Sequence, residues 1–193
     1  MKSTNQILSN MVKYVQLYLF FYRLIGSPSW HLRINFTNSV LKGDGSLELK
    51  EIIYSNTILL DAEFKKRSEV FSYFADTLYE ANLINDKQDL IDGLNQKEKE
   101  ISTAIGYQIA IPHIQSKSIL YPLVSFVRGK HEIDWENEEK SLVKLIFLIA
   151  VPETLINEHI QILAALSQKL MKEEVRVRLL TMKKPDEIYD ILT

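Results

Sequence analysis

The stretch Leu145-Ile146-Phe147-Leu148-Ile149-Ala150-Val151 is apolar without a break. A strand with one wet face alternates apolar and polar residues, so an unbroken run predicts a strand covered on both faces. It is far too short to cross a bilayer, which takes about 20 residues. A strand buried on both sides needs neighbours in a sheet and helices above and below it. Residues 57–60, 101–105, 109–111 and 120–127 read as further strands, with a turn at Gly106. Residues 65–82 carry Val70, Phe71, Phe74, Leu78 and Ala81 at helical spacing. A second helix is predicted over 85–96 with Asn85 as its N-cap, and a third behind Asn157, with Ile160, Leu163, Leu166 and Leu170 on one face. Shorter helices follow over 174–181 and 186–192. The expected fold class is α/β: a mixed β-sheet flanked by helices on both faces, in a single compact domain with an N-terminal extension.

The extension is set off by its charge. Up to Lys42 every charged residue is basic (Lys2, Lys13, Arg23, Arg33, Lys42), whereas the whole chain of 193 residues has a formal net charge of -2. Gly43-Asp44-Gly45-Ser46 reads as a flexible joint. The expected division is therefore 1–45, an extension of no assigned role, and 46–193, the functional domain. Met11, Val15, Tyr18 and Tyr22 share a helical stripe, but Leu17, Leu19, Phe20 and Phe21 make that segment apolar nearly all round. Residues 14–22, between Lys13 and Arg23, are too few to span a membrane, and Ser27-Pro28-Ser29 supplies no signal-peptide cleavage pattern. The cytoplasm is the expected compartment.

Several chemistries are excluded. The net charge of -2 argues against nucleic-acid binding, and the absence of cysteine removes disulfides, thiolate metal sites and cysteine nucleophiles. There is no glycine-rich phosphate loop, no His-Glu-x-x-His and no Gly-x-Ser-x-Gly. No metal and no cofactor is therefore expected.

The histidines are His31, His113, His131 and His159. His113 follows Ile109-Ala110-Ile111-Pro112, and a proline cannot donate to a sheet ladder, so the strand should stop there with His113 at its end. Such a position presents a reactive side chain, and it also suits a structural histidine. His159 falls in the first turn of the third predicted helix, whose N-terminus disfavours the imidazolium and attracts anions. A neutral ring there can donate to a phosphoryl group or simply cover a helix start. His131 reads as an exposed loop residue, and the acidic run Asp134, Glu136, Glu138 and Glu139 around Trp135 as a solvated hairpin loop.

From about Leu49 to Thr193 the chain resembles the enzyme IIA domain of the fructose/mannitol class of the bacterial phosphoenolpyruvate-dependent sugar phosphotransferase system. Ser102-Thr103-Ala104-Ile105-Gly106-Tyr107-Gln108-Ile109-Ala110-Ile111-Pro112-His113 is similar to that family's Ser-Thr-Gly-Ile-Gly-Asn-Gly-Ile-Ala-Ile-Pro-His. The apolar run ending in Pro152-Glu153, with Glu158-His159-Ile160-Gln161-Ile162-Leu163 behind it, and the helical stretch after Pro185 complete the likeness. The resemblance implies a phosphoryl carrier for sugar uptake: His113 accepts from phospho-HPr, His159 assists, and an enzyme IIB domain receives the group. It further implies phosphoryl binding by Lys97, Thr103 and Gln108, and contact with the membrane only indirectly, through the sugar permease. A regulatory module of the same family, signalling to a transcription regulator, is the alternative, and a degenerate domain without transfer is a third reading. Lys97 stands where the family has arginine, Ala104 where it has glycine, and Tyr107-Gln108 where it has Asn-Gly. Because Asn-Gly suits positive φ and Tyr-Gln does so less readily, the turn before His113 is expected to differ in geometry.

Overall fold

In a computed structural model, which describes residues 48–193, the apolar run becomes the middle of a sheet. The elements are β1 (Ile53–Ala62), α1 (Arg67–Glu80), α2 (Lys87–Glu100), β2 (Ala104–Gly106), β3 (Ile109–Ala110), β4 (His113–Ser116), β5 (Leu123–Asp134), β6 (Leu142–Pro152), α3 (Ile156–Leu170), α4 (Glu173–Thr181) and α5 (Pro185–Leu192). Residues Leu49–Thr193 form one compact unit. The stretch 14–22, His31 and the joint 43–46 lie outside the described residues.

The strands run in the order β1-β5-β6-β3-β2, with β4 also paired to β6. Pairing is parallel for β1–β5, β3–β6 and β4–β6, and antiparallel for β5–β6 and β2–β3, so the sheet is mixed. Leu145 to Val151 are all fully buried. Ile146, Leu148 and Ala150 share a core with Val70, Phe71, Phe74 and Leu78 of α1 and Leu90 and Leu94 of α2. The alternate residues of β6 face the other side, where α3 packs on β6 and α5 on β1 and Ile162, Leu166, Ile188 and Leu192 are buried. Each large side chain so buried contributes roughly 1.5–3 kcal/mol relative to exposure.

Four local expectations are corrected. Asp86, not Asn85, caps α2, its carboxylate accepting from the N–H of Gln88 (2.9 Å) and Asp89 (3.1 Å). Asn85 instead donates its N–H to the Ser118 carbonyl, which ties the helix start to the sheet. Asn157 does not cap α3 but lies within its first turn, because the preceding turn closes at Leu155 N–H to Pro152 O (3.0 Å) and the buried Leu155 starts the helix. His131 is exposed as expected, yet belongs to β5 rather than to a loop. Trp135 leaves the solvated hairpin loop for the core and packs edge-on to Phe71, with ring centroids 5.9 Å apart.

One buried cation braces this frame. Arg128 of β5 is 1% exposed and donates from Nε (3.2 Å) and Nη2 (3.0 Å) to Asp61 of β1. Its Nη1 donates to the carbonyls of Leu179 (3.0 Å) and Met182 (2.6 Å) at the end of α4. A fork of fixed donors is suited to a helix C-terminus, where carbonyls lack intrahelical partners. Arg128→Met should lower the unfolding free energy by roughly 2–4 kcal/mol, because it strands those buried carbonyls. Urea denaturation checks this, with an unchanged midpoint as the contrary result.

Candidate functional site

The site begins with the proline. Pro112 was expected to end the strand, but the pairing with β6 resumes immediately: Ile109 and Ala110 face Leu145 and Ile146, and His113 faces Ile149 in the same register. Pro112 keeps its place because its carbonyl still accepts from Ile149 N–H (3.0 Å). Only the donor is missing. Ile111 points its backbone groups the other way, its N–H donating to Thr103 O at 3.0 Å. Its carbonyl accepts from Nδ1 of His113 at 2.9 Å. A carbonyl only accepts, so Nδ1 carries the proton and the lone pair of the neutral ring is on Nε2.

Strand alternation sends His113 and Ile114 to opposite faces of the sheet. Ile114 joins the core beneath α2, where Gly93 lets that helix approach closely. His113 turns toward the face covered by α3. There it meets His159, with ring centroids 5.3 Å apart and planes inclined at 46°. Gln115, two residues beyond His113 on the same face, donates to the Leu155 carbonyl at 3.4 Å. That carbonyl also accepts from His159 N–H at 3.3 Å, so β4 and the first turn of α3 share one anchor.

Both imidazoles are buried, at 8% exposure for His113 and 2% for His159. Burial lowers the pKa of His113, the Ile111 carbonyl opposes that shift, and the charge of Lys97 reinforces it. Burial, His113 and Lys97 together bring His159 down to about 3. Both rings are therefore neutral near pH 7. Lys97, at the end of α2, also pairs with Glu100 at 3.7 Å, its side chain 46% exposed. The structure thus brings His113 and His159 together, with the charge of Lys97 acting on both.

The side chains of the other two expected phosphoryl ligands, Thr103 and Gln108, are each engaged by a glutamate. Thr103 is buried (2% exposed) and its hydroxyl hydrogen is committed to Glu98, so it has none to give a phosphoryl group. Gln108 lies in the turn before β3, five residues before His113, and its amide donates to Glu132. The turn it occupies also departs from expectation. Tyr107 (φ 52°) and Gln108 (φ 61°) both adopt the positive φ that Asn-Gly would favour, behind Gly106 at φ 94°. The geometry is held by Lys144 and Leu145 N–H groups on the Gln108 carbonyl and by the Arg176 guanidinium 4.4 Å over the Tyr107 ring. Missed by the sequence reading were Gln115, whose i+2 spacing from His113 is the available signal, and Glu98, discussed below. Among the described residues no cluster of three or more His, Asp or Glu is arranged for a metal ion, and no helix is long and apolar enough to cross a membrane.

Comparison with known proteins places the chain in a family. Residues 51–193 match the family described as phosphoenolpyruvate-dependent sugar phosphotransferase system, EIIA 2. The chain is 34% identical over 146 residues to the fructose-specific EIIABC component of Bacillus subtilis, a match covering 76% of this chain and 23% of that protein. It is 34% identical over 120 residues to the fructose-specific EIIA component of Haloferax volcanii, covering 62% of this chain and 78% of that one. The crystal structure of nitrogen regulatory protein IIA-Ntr from Neisseria meningitidis superposes with a TM-score of 0.69 at 28% identity, over 75% of this chain and 98% of that chain. The chain belongs to the EIIA 2 family, fructose/mannitol class. It spans about a quarter of the Bacillus protein's length.

Two outcomes follow from this geometry. The folded pKa of His159 is depressed, so its neutral form supplies stability that is complete above the unfolded pKa of about 6.5 and declines as pH falls toward 3. By linkage this amounts to roughly 2 kcal/mol lost between pH 7 and pH 5. His159→Gln should flatten that acid limb in urea melts taken across pH; an unchanged slope contradicts the assignment. Gln108→Gly should raise stability by about 0.5–1 kcal/mol, since it relieves a left-handed residue. Thermal melting tests it, and a fall in Tm would show that the Glu132 contact outweighs the strain.

Proposed function

We propose that residues 46–193 carry a phosphoryl group on Nε2 of His113, taken from phospho-HPr and passed to an enzyme IIB domain in the cytoplasm to drive sugar uptake. The observation that carries this reading is the Nδ1 bond to Ile111, which leaves a buried, neutral imidazole with its lone pair on the opposite nitrogen. In the transfer, Nε2 bonds to phosphorus as the donor's N–P bond breaks, and the donor nitrogen recovers its electron pair. Positive charge then develops on the His113 ring, and the Ile111 carbonyl stabilises it through the Nδ1 proton. Lys97 supplies a positive field for the equatorial oxygens, and His159, at the start of α3, a neutral donor. Lys97 is a point charge rather than a bidentate fork, so it attracts the group without fixing its orientation.

The identity to two fructose-specific components supports uptake. The likeness to IIA-Ntr supports a second reading, in which the phosphorylation state signals to a regulator. Transfer onward to a fructose-type IIB domain separates the two: uptake requires it, and signalling does not.

Incubation with phosphoenolpyruvate, enzyme I and HPr should add a single phosphoryl group, acid-labile and alkali-stable, visible by intact mass spectrometry. His113→Ala should abolish the adduct, whereas His31→Ala and His131→Ala should retain it. The chain shortened to 46–193 should accept the group as the full chain does. Phosphorylation should also raise the His159 pKa from its low value, because a dianion then sits beside it; proton NMR titration reads this. An adduct that survives His113→Ala overturns the proposal.

A further inference from the structure

The buried stripe of α2 runs Leu90, Leu94, Glu98, so a carboxylate occupies the next apolar position. Glu98 is 8% exposed. Its Oε1 accepts from the Thr103 hydroxyl, and its Oε2 accepts from the Thr103 N–H at 3.1 Å. Arg67 Nη1 approaches Oε2 at 3.9 Å. Burial pushes the Glu98 carboxyl up, and the Thr103 bonds and Arg67 oppose that shift. A buried carboxylate is costly unless its lone pairs are filled, so Glu98 holds Thr103 firmly in one place. Thr103 in turn offers its carbonyl to Ile111 N–H at 3.0 Å. Ile111 then offers its own carbonyl to His113 Nδ1 at 2.9 Å. The chain of contacts is continuous, from a buried ion pair under α1 and α2 to the reactive ring on the far face.

We infer that Glu98 is a positioning residue for phosphoryl transfer: through Thr103 and Ile111 it fixes the tautomer and aim of His113. This rests on the proposed role of His113. Without Glu98, Thr103 has no acceptor for its two donors, the Ile111 carbonyl is no longer registered to the ring, and the Nε2–H tautomer competes. In that tautomer the lone pair lies on Nδ1, facing a carbonyl, and Nε2 is not a nucleophile.

The test uses the full chain with ¹⁵N-labelled histidine, because long-range ¹H–¹⁵N spectra report the tautomer of His113 without any transfer reaction. The wild type should show the Nδ1–H form. Glu98→Gln and Thr103→Val should both populate the Nε2–H form and slow phosphorylation by HPr roughly ten- to a hundredfold, the usual penalty of a misaimed reacting group. Thr103→Ser keeps the hydroxyl and should keep the wild-type tautomer. Val175→Ala, a core change in α4, serves as a control that lowers Tm without moving either readout. If Thr103→Val, or a folded Glu98→Gln, loses stability yet retains the Nδ1–H form and the wild-type rate, the inference is overturned and Glu98 is structural only. If instead the wild type shows the Nδ1–H form but accepts no phosphoryl group, the carrier reading fails while the tautomer comparison still decides the role of Glu98.

Discussion

The site depends on where one carbonyl points. Ile111 precedes a proline and is turned away from the central strand, so its oxygen is not part of the ladder to β6. It accepts instead from a side chain, the Nδ1 of His113. A residue with an N–H at position 112 would complete the ladder, but the clash of proline's Cδ with the preceding residue is what holds Ile111 extended.

Around that contact the domain assembles neutral polar groups rather than ions. Two unprotonated rings can be buried at 5.3 Å without the desolvation penalty that two imidazolium ions would incur. Lys97 keeps its charge half in solvent, so it contributes a field without being desolvated. Two buried charged side chains, Glu98 and Arg128, are each held by two or more hydrogen bonds. The arrangement is thus poised for an incoming anion. Charge is brought by the ligand and met by groups that were waiting uncharged or partly solvated.

Much of this was legible in the residues. An unbroken apolar run can satisfy its backbone only inside a sheet and its side chains only between two layers, so β6 and its helices followed directly. The Pro-His pair and the histidine in the first turn of α3 were likewise found by position. What escaped was decided by partners distant in sequence. Asn85 and Asp86 are equivalent as caps until Ser118 claims the backbone of one of them. Trp135 sits in a polar run, yet it joins the core cluster and packs edge-on to Phe71. Thr103 and Gln108 belong to the recognised motif, yet Glu98 and Glu132 engage their side chains. Motif membership did not show which of its side chains are engaged by partners distant in sequence.

The β5–β6 hairpin bears on how the chain reaches this state. Its strands are joined by residues 135–141 and pair antiparallel, so it can form early from near neighbours. β4 must run parallel beside β6, and that contact closes a loop containing all of β5. The docking of β4, with the Ile111 carbonyl and the His113 ring it governs, therefore belongs to the late, slow part of folding. A newly made chain would hold a collapsed hairpin core before it held a nucleophilic histidine. The proposed phosphoryl acceptor is thus assembled by a long-range contact, not by the hairpin that it docks against.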